Sequence, residues 1–367
     1  MLQNLTILIT TYNRYCFLDR LLTFYQSFKT DVKILVLDSS SKKLSDKNLI
    51  LKLKQKNITW KKYNSKIFVA NKIKDGCRFI STDFAVLCAD DDFLIPNSLK
   101  KAVKFLQKNK NYSSCMGLQI KHHYLSIFNK KIYLFNESIN KNNGFNNNHI
   151  FDRISQYLSL NSSYYPFYSV HRSNDLKRIW EITSKNTNFW GLVEILPCCL
   201  SLVIGKMKVL NVIYISRQKN TFNWHNRKVL EKMYSSRKIK PAIKSLSNFI
   251  IDYDRSNNLD TIEKKLNENF EIFKQKILNK EIYHFINSKK SKQKLKIILN
   301  NIPIVGTYVL NIILKINSKL RLYFINRIPI EKHLDRKTNL LFRDVLKNIN
   351  CDNNIIENSR KNYSQSR

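Results

Sequence analysis

The chain has 367 residues, 43% of them hydrophobic, which is enough for one large or two ordinary domains with buried cores. Lys and Arg number 64 against 27 Asp and Glu, so the formal net charge is +37. Such a charge favours polyanionic partners such as phosphorylated substrates, nucleic acid or anionic lipid. Lysines are spread along the whole chain, and a general compositional bias explains the charge equally well.

The seven cysteines contain no C-x-x-C pair, which argues against zinc and is typical of reduced thiols in the cytosol. The first residues read as a strand and not as a secretory signal. No apolar run reaches the roughly 18 residues that a transmembrane helix needs. We therefore expect a cytoplasmic protein, and we leave open a peripheral position on the inner face of a membrane.

The first third of the chain alternates between two hydrophobic periods. Short buried strands are predicted at residues 5–10, 32–37, 58–60 and 84–88. Helices are predicted at 17–28, 44–56 and 68–80, and another begins at Pro96. Strands that alternate with helices in this way predict an α/β fold with a mostly parallel, Rossmann-like sheet and helices on both faces.

The pattern changes after residue 114. Residues 115–135 read as two antiparallel strands, residues 209–216 as a last strong strand, and residues 150–160, 175–183 and 192–204 as helices. Beyond about residue 225 the chain is Lys-rich and helical. We predict a catalytic domain at 1–225, a basic helical region at 226–349 and a disordered tail at 350–367.

Three polar clusters follow the ends of predicted strands: Thr10 to Arg14, Asp38 to Ser41, and Asp90 to Asp92. In open parallel sheets, ligands bind outside the carboxyl ends of the strands. The three clusters are therefore expected to meet at one edge of the sheet.

The three adjacent aspartates are the feature that most favours a metal site. Their mutual repulsion raises their pKa values unless a cation lies nearby. Carboxylates suit Mg²⁺ or Mn²⁺, which often bridges to the phosphates of a substrate. The structural alternative is an exposed turn in which Asp92 or Asn97 caps the helix that begins near Pro96.

These clusters resemble those of the GT-A glycosyltransferases, and family 2 is the nearest. The resemblance rests on Thr10-Thr11-Tyr12-Asn13-Arg14 after the first strand, on Asp38 after the second, and on the aspartates four positions before Pro96. It covers roughly residues 3–220. It implies a GT-A fold, a nucleotide-sugar donor and a divalent metal, Mn²⁺ or Mg²⁺.

The resemblance also implies roles for matching residues. The segment Thr10, Thr11, Tyr12 and Arg14 would line the nucleotide pocket, with Tyr12 near the base and Arg14 near the phosphates. Asp38 would bind the base or the ribose, and Asp90 and Asp92 would hold the metal and the sugar diphosphate. Counted back from Pro96, the first Asp of the family's Asp-x-Asp motif falls on Ala89, so Asp91 also stays a candidate.

An inverting transfer needs a base that takes the proton of the acceptor hydroxyl. By resemblance, Glu194 occupies the place of that base, and its apolar neighbours would raise its pKa. The family more often has an Asp preceded by an acid, whereas Val193 precedes Glu194. A helix-start glutamate favoured by the helix dipole is the alternative. Trp190 can stack on an acceptor sugar or pack in the core, and Arg217 can reach the diphosphate.

The predicted function is an inverting, metal-dependent transfer of a sugar from a nucleotide-sugar donor to a glycan or lipid-linked acceptor. By resemblance, it would serve the synthesis of cell-surface polysaccharide or lipopolysaccharide. One alternative is a nucleotidyltransferase, but the loop after the first strand lacks the expected glycines. Another is a basic protein that binds membrane or nucleic acid on an inactive GT-A fold. Residues 302–330 mix apolar and basic side chains, and either lie on anionic lipid or pack on the catalytic domain.

Overall fold

The computed structural model describes residues 2–28, 30–127, 130–138, 144–159, 166–187, 190–218, 235–254 and 258–276. The side chains of residues 121–138, 190 and 236–238 are not described. The predicted tail at 350–367 and the amphipathic segment at 302–330 lie outside these ranges.

Ten strands and eight helices with defined bounds make up the described fold. The strands are β1 (Leu5–Thr11), β2 (Lys33–Asp38), β3 (Ile58–Lys62), β4 (Phe84–Ala89), β5 (Phe93–Leu94), β6 (Tyr112–Ile127), β7 (Lys130–Ser138), β8 (Gly144–Phe145), β9 (Val170–Arg172) and β10 (Lys206–Gln218). The helices are α1 (Tyr15–Ser27), α2 (Lys47–Leu53), α3 (Val69–Cys77), α4 (Pro96–Lys108), α5 (Ile150–Leu158), α6 (Ser173–Asn186), α7 (Trp190–Ile204) and α8 (Ser236–Tyr253). Residues 259–276 are also helical.

One sheet runs through the molecule in the order β3-β2-β1-β4-β9-β6-β10-β5, with β7 beside β6 and β8 beside β10. Strands β3, β2, β1 and β4 are mutually parallel, as are β6 and β10. The short strand β9 is antiparallel to both β4 and β6, so the two parallel groups point the same way. Their carboxyl ends therefore meet along one edge, here called the carboxyl edge.

The predicted α/β fold, with a mostly parallel sheet and helices on both faces, is confirmed. Nearly every residue of β1 and β4 is buried, which means that both faces of the sheet are covered, as their unbroken apolar sequences predicted. Strands β6 and β7 form the antiparallel pair predicted at residues 115–135. Helix α4 begins with Pro96 at its first position and has Ile95 as N-cap, with no side-chain cap. The aspartates therefore do not cap this helix, and the structural alternative for them is wrong.

The C-terminal helices that the structure describes pack on the catalytic part of the chain. Apolar residues of α8 and of the helix at 259–276 belong to the same buried core as β1 and β4; among them are Ile243, Leu246, Phe249, Ile262 and Phe270. Arg178 of α6 adds a second anchor, because its guanidinium lies 4.5 Å from the Phe249 ring centroid. For this part of the region, packing on the domain that contains the sheet is the arrangement observed.

Five cysteines, at 77, 88, 115, 198 and 199, are buried free thiols. Within the described ranges, no helix combines the length and the apolar character needed to cross a membrane.

Candidate active site at the carboxyl edge

Residues 89–92, here called the acid turn, join β4 to β5 at the carboxyl edge. The backbone N–H of Asp92 donates to the Ala89 carbonyl oxygen at 3.2 Å, which closes the turn. Asp90, Asp91 and Asp92 are only 3–5% exposed. Buried carboxylates need hydrogen bonds or cations, and the partners of these three come from two sides of the turn.

The first side is the loop after β1. Thr11 Oγ1 donates to Asp90 Oδ2 at 2.7 Å. The Arg14 guanidinium lies between two aspartates, with Nε 3.4 Å from Asp90 Oδ1 and Nη2 2.6 Å from Asp91 Oδ2. The predicted nucleotide loop and the predicted metal residues are therefore in direct contact.

The second side is the end of β10. Arg217 Nε lies 3.3 Å from Asp92 Oδ2, and the backbone N–H of Gln218 donates to Asp92 Oδ1 at 2.9 Å. Arg217 thus reaches the acid turn, where its predicted partner, a diphosphate, would also bind. Asp92 faces β10, whereas Asp90 and Asp91 share Arg14.

Burial is the main cause of the raised pKa values of Asp90 and Asp92 in the acid turn. It raises the pKa of Asp90 to about 6, with Arg14 opposing the rise and Asp91 adding to it. It raises the pKa of Asp92 to about 7, with Asp91 adding to the rise and Arg217 opposing it. Closely spaced carboxylates in a cleft are a common feature of functional sites, because structural roles seldom require them.

The acid turn fits a divalent ion only in part. Within the described residues, no three His, Cys, Asp or Glu side chains are arranged to hold a metal ion. Mg²⁺, however, commonly binds through one or two carboxylates and completes its shell with water and substrate phosphates. Asp90 and Asp91, which converge on one guanidinium, supply carboxylate oxygens of this kind. The residues therefore fit an ion held jointly with a phosphorylated ligand.

Asp38 is the centre of a buried polar cluster and is 0% exposed. Its Oδ2 accepts from Tyr15 Oη at 3.0 Å, Lys62 Nζ at 2.9 Å and Trp60 Nε1 at 3.3 Å, and its Oδ1 accepts from the Ser40 N–H at 2.7 Å. These bonds hold the loop after β2 in place. The predicted contact of Asp38 with a base or ribose remains a prediction. The four donors surround the Asp38 carboxylate and separate it from solvent.

The loops after β1 and β2 are tied together. Asn13 has a positive φ of 56°, which its side chain compensates: Lys42 N–H donates to Asn13 Oδ1 at 3.0 Å. Asn13 N–H donates to Ser40 Oγ at 2.8 Å. Thr10 and Tyr12 flank this junction and are half-buried. The nucleotide loop predicted from residues 10–14 is therefore an ordered part of the carboxyl edge.

Lys72 of α3 is a buried cation that sequence reasoning did not assign to the site. Its Nζ donates to Ser39 Oγ at 2.8 Å and to the Thr11 carbonyl oxygen at 3.1 Å. Lys72 therefore links the loop after β2 to the loop after β1. Burial lowers the pKa of Lys72 to about 8, and Asp90 and Asp38 oppose the fall. Lysines in a helix are usually solvated, so only the fold reveals that this one points inward.

Glu194 lies in the first turns of α7 and is exposed to solvent, whereas Val193 and Ile195 beside it are buried. Protein atoms crowd the carboxylate closely enough that the loss of hydration raises its pKa, and Arg217 opposes the rise. Because the side chain is exposed, solvent keeps this rise modest. Glu194 is thus near Arg217 and accessible to a ligand.

Tyr168 packs against Arg217, which pairs with the acid turn, and it was missed by sequence reasoning. Arg217 lies over its ring, with Cζ 4.7 Å from the centroid. Burial raises the pKa of Tyr168 well above its usual range; Arg217 opposes the rise, and Asp92 and Glu194 add to it. The phenol therefore stays neutral, and its ring supports the Arg217 guanidinium near Asp92 and Glu194.

His171 is buried in β9, where Nε2 is 2.9 Å from the Pro166 carbonyl oxygen, and burial lowers its pKa to about 4. It is a structural residue. The side chains of Trp190, His122 and His123, and the whole of His225, lie outside what the structure describes.

Comparison with known families accords with this geometry. Residues 6–161 match the model of the family described as Glycosyl transferase family 2. These residues are therefore similar to a family 2 glycosyltransferase domain. The match includes Thr11, Arg14, Asp38 and the acid turn, and the resemblance seen in the sequence is confirmed. Glu194, Arg217 and Tyr168 lie beyond the matched residues of the glycosyltransferase domain. No curated protein matches the chain significantly.

Solved structures with a similar fold include those of S. aureus TarS. TarS 1-349 in complex with UDP-GlcNAc has a TM-score of 0.48 and 15% identity, over 73% of this chain and 72% of that one. TarS 1-349 in complex with UDP has a TM-score of 0.47 and 14% identity, over 72% and 70%. The longer TarS structure has a TM-score of 0.47 and 14% identity, and the match covers 72% of this chain but 42% of TarS.

Proposed function

We propose that this protein is an inverting, metal-dependent glycosyltransferase, which moves a sugar from a nucleotide-sugar donor to an acceptor hydroxyl. The observation that carries the proposal is the meeting of three chain segments at the carboxyl edge. Thr11 and Arg14 after β1, and Arg217 at the end of β10, each lie within hydrogen-bonding or ion-pairing distance of the acid turn after β4. The family match over residues 6–161 supports the same class of enzyme.

The two arginines are suited to hold the diphosphate of the donor. Both arginine side chains are partly exposed, at 23% for Arg14 and 29% for Arg217, although the carboxylates that they pair with are buried. A guanidinium binds phosphate oxygens in a planar, two-pronged geometry and stays charged at all relevant pH values. In this proposal the arginines exchange part of their contact with the aspartates for contact with the diphosphate.

The nucleoside would lie beside the tied loops after β1 and β2. Thr10, Thr11 and Tyr12 would line its pocket, and the buried Asp38 would act on the base or ribose through its exposed donors Lys62 and Trp60. A divalent ion, Mn²⁺ or Mg²⁺, would be held by two of the three aspartates: Asp90 with Asp92, or Asp90 with Asp91, which shares Arg14 with it. When bound, such an ion offsets the charge that develops on the departing nucleoside diphosphate.

Glu194 would take the proton of the acceptor hydroxyl as that oxygen attacks the anomeric carbon. Its exposure allows an acceptor to reach it, and its raised pKa makes it a better base than an ordinary surface glutamate. Arg217 and Tyr168 would keep Glu194 and the diphosphate on opposite sides of the sugar, which is the arrangement that an inverting transfer requires.

The acceptor is proposed from chemistry alone. The large positive charge of the chain suits an anionic acceptor or an acceptor carried on an anionic surface. From the resemblance to family 2 we infer a role in the synthesis of a cell-surface polysaccharide or lipopolysaccharide, in the cytoplasm and peripherally on the inner face of the membrane.

The proposal is tested by nucleotide release from UDP-, GDP-, CMP- and dTDP-sugars with Mn²⁺, Mg²⁺ or EDTA. Wild-type protein should release one nucleotide, and only with metal. Asp90→Asn and Asp92→Asn should each lose at least about a hundredfold in rate, since they remove charge at the diphosphate. Asp31→Asn, at the opposite edge of the sheet, is the matched control. Full metal-dependent turnover in both acid-turn variants would refute the proposed site.

A further inference from the structure

Arg20 of α1 is a buried cation next to the acid turn. In the sequence it stands outside the three polar clusters, so the sequence alone assigns it no role. It is 1% exposed. Its guanidinium lies between two aromatic rings, with Cζ 5.0 Å from the Phe17 centroid and 4.9 Å from the Phe93 centroid. Desolvating a guanidinium is costly, so its contacts must compensate.

Two hydrogen bonds join Arg20 to the two sides of the candidate site. Nη2 donates to the Asp91 carbonyl oxygen at 3.2 Å and to Gln218 Oε1 at 2.7 Å. One acceptor belongs to the acid turn and the other to the last described residue of β10. A single nitrogen therefore bridges segments that are more than 120 residues apart in sequence.

The same two segments meet again around Arg20. Gln218 N–H donates to Asp92 Oδ1, and β5 pairs with β10 through Phe93 and Ser216. Ile95 N–H donates to the Tyr214 carbonyl oxygen at 2.8 Å. Phe93 pairs with β10 and also packs on the Arg20 guanidinium. Arg20 therefore packs directly against the place where β5 meets β10.

The contacts require an arginine in particular. A planar guanidinium stacks on aromatic faces and directs several N–H groups at fixed angles, whereas the lysine ammonium is a compact, strongly hydrated charge. Lysine at this position would keep the positive charge beneath the aspartates but would lose the packing between the two rings. Charge and bridging can therefore be separated by experiment.

We propose that Arg20 is a positioning residue, which joins the acid turn to the end of β10 and so holds Asp92 and Arg217 facing each other. Through these two residues it sets the geometry of the diphosphate and metal position. Its effect on ligand binding rests on the proposed function, but the joining of the two segments does not.

Arg153 offers a matched control. It is also a buried arginine, 4% exposed, and it donates to the carbonyl oxygens of Leu202 and Asn147, both at 2.8 Å. These contacts join α5 to the end of α7, away from the acid turn. Loss of Arg153 should therefore destabilise the protein without disturbing the carboxyl edge.

The experiment compares Arg20→Met, Arg20→Lys and Arg153→Met by hydrogen exchange and by binding of UDP with Mn²⁺. In both Arg20 variants, exchange should accelerate at residues 89–95 and 214–218. The affinity for Mn²⁺ with UDP should fall about 10- to 100-fold, as is usual when a residue that orients metal ligands is lost. In Arg153→Met, exchange should accelerate near residues 147 and 202, and the affinity should be unchanged. If Arg20→Met does not fold, Arg20→Lys decides the question.

Unchanged exchange at residues 89–95 and 214–218 in the Arg20 variants would overturn the proposal. Wild-type behaviour of Arg20→Lys would also overturn it, because charge alone would then suffice. If wild-type protein binds none of UDP, GDP, CMP and dTDP with Mn²⁺, the proposed function fails, and the exchange measurement still decides the role of Arg20.

Discussion

The carboxyl edge of the sheet and the helical layer of α6, α7 and α8 bury their side chains in opposite ways. The edge buries Asp38, Asp90, Asp91 and Asp92 together with Arg20 and Lys72. The layer buries mainly apolar side chains, including Trp180, Leu196 and Leu246, in the common core. Burying charge is costly and burying apolar surface is favourable, so the layer stabilises the fold that the edge requires for its chemistry.

This difference predicts two classes of substitution. Removing an exposed reactive side chain beside the edge, such as Glu194, should reduce activity with little loss of stability, whereas removing one partner of a buried ion pair should cost both activity and stability. Changes among the buried apolar residues of the layer should reduce stability while the activity of the folded molecules stays near that of the wild type. The following four experiments test this distinction, in order of decreasing expected effect.

The largest effect is expected for Glu194→Gln. Removal of a general base typically costs 10²- to 10⁴-fold in rate, and the exposed side chain contributes little to stability. In the wild type, kcat should rise with pH through the raised pKa of Glu194, because the base acts in its ionised form. The measurement is a pH profile of kcat together with thermal unfolding. Glu181→Gln, on α6, is the control and should match the wild type. A variant at position 194 that keeps its rate would remove Glu194 from the site.

In the layer, Leu246→Ala should lower the free energy of unfolding by about 2–5 kcal/mol, because it leaves a cavity between α8 and its neighbours. Leu246 is fully buried. Urea unfolding at 25 °C measures the change, and Lys244→Ala, at an exposed position of the same helix, is the control. A loss of kcat in the folded variant would mean that packing within the layer also controls the geometry of the edge.

His171 gives the pH dependence of the buried interior. Its folded pKa of about 4 lies below the unfolded value near 6.5, so the unfolded state takes up a proton first as the pH falls. The wild type should therefore lose up to about 3 kcal/mol of stability between pH 6.5 and 4 from this residue, and none above pH 7. Asp90 and Asp92 act in the opposite direction, because their pKa values are raised. Subtracting the stability profile of His171→Gln isolates the histidine, and identical profiles would contradict the assignment.

The smallest effect is expected for Arg178→Met, at the surface contact between α6 and α8. The guanidinium packs on Phe249 and Tyr253 and donates to Asp252, but the arginine side chain is 46% exposed. Loss of such a contact should cost about 0.5–1 kcal/mol in unfolding free energy, with no effect on turnover. A cost above about 3 kcal/mol would place Arg178 in the core of the layer.

The sequence predicted the parallel strands and the loops that follow them because hydrophobic period and strand order are local signals. The clusters at residues 10–14, 38–41 and 90–92 do meet at one edge. The burial of each charged side chain and its bonding partners were not predictable from the sequence. Asp38 proved to be fully buried among Tyr15, Trp60 and Lys62, and Asp92 turned toward β10, because partners distant in sequence determine side-chain direction.

The residues that sequence reasoning missed share one property. Arg20, Lys72 and Tyr168 act through contacts with segments far along the chain. Each stands in a stretch whose local pattern is ordinary: a basic residue on an amphipathic helix, or an aromatic residue beside a short strand. No spacing rule marks them, and only the folded chain brings them beneath or beside the acid turn.

The central claim is that the carboxyl edge binds a nucleotide sugar together with a divalent ion. The most direct test is thermal unfolding of the full chain with UDP-, GDP-, CMP- and dTDP-sugars, each with Mn²⁺ and with EDTA. Ligands that bind only the native state raise the melting temperature. We predict stabilisation by one donor, only when Mn²⁺ is present, and its loss in Asp91→Asn. Stabilisation by none of the donors, or equal stabilisation in EDTA and in Asp91→Asn, would contradict the claim.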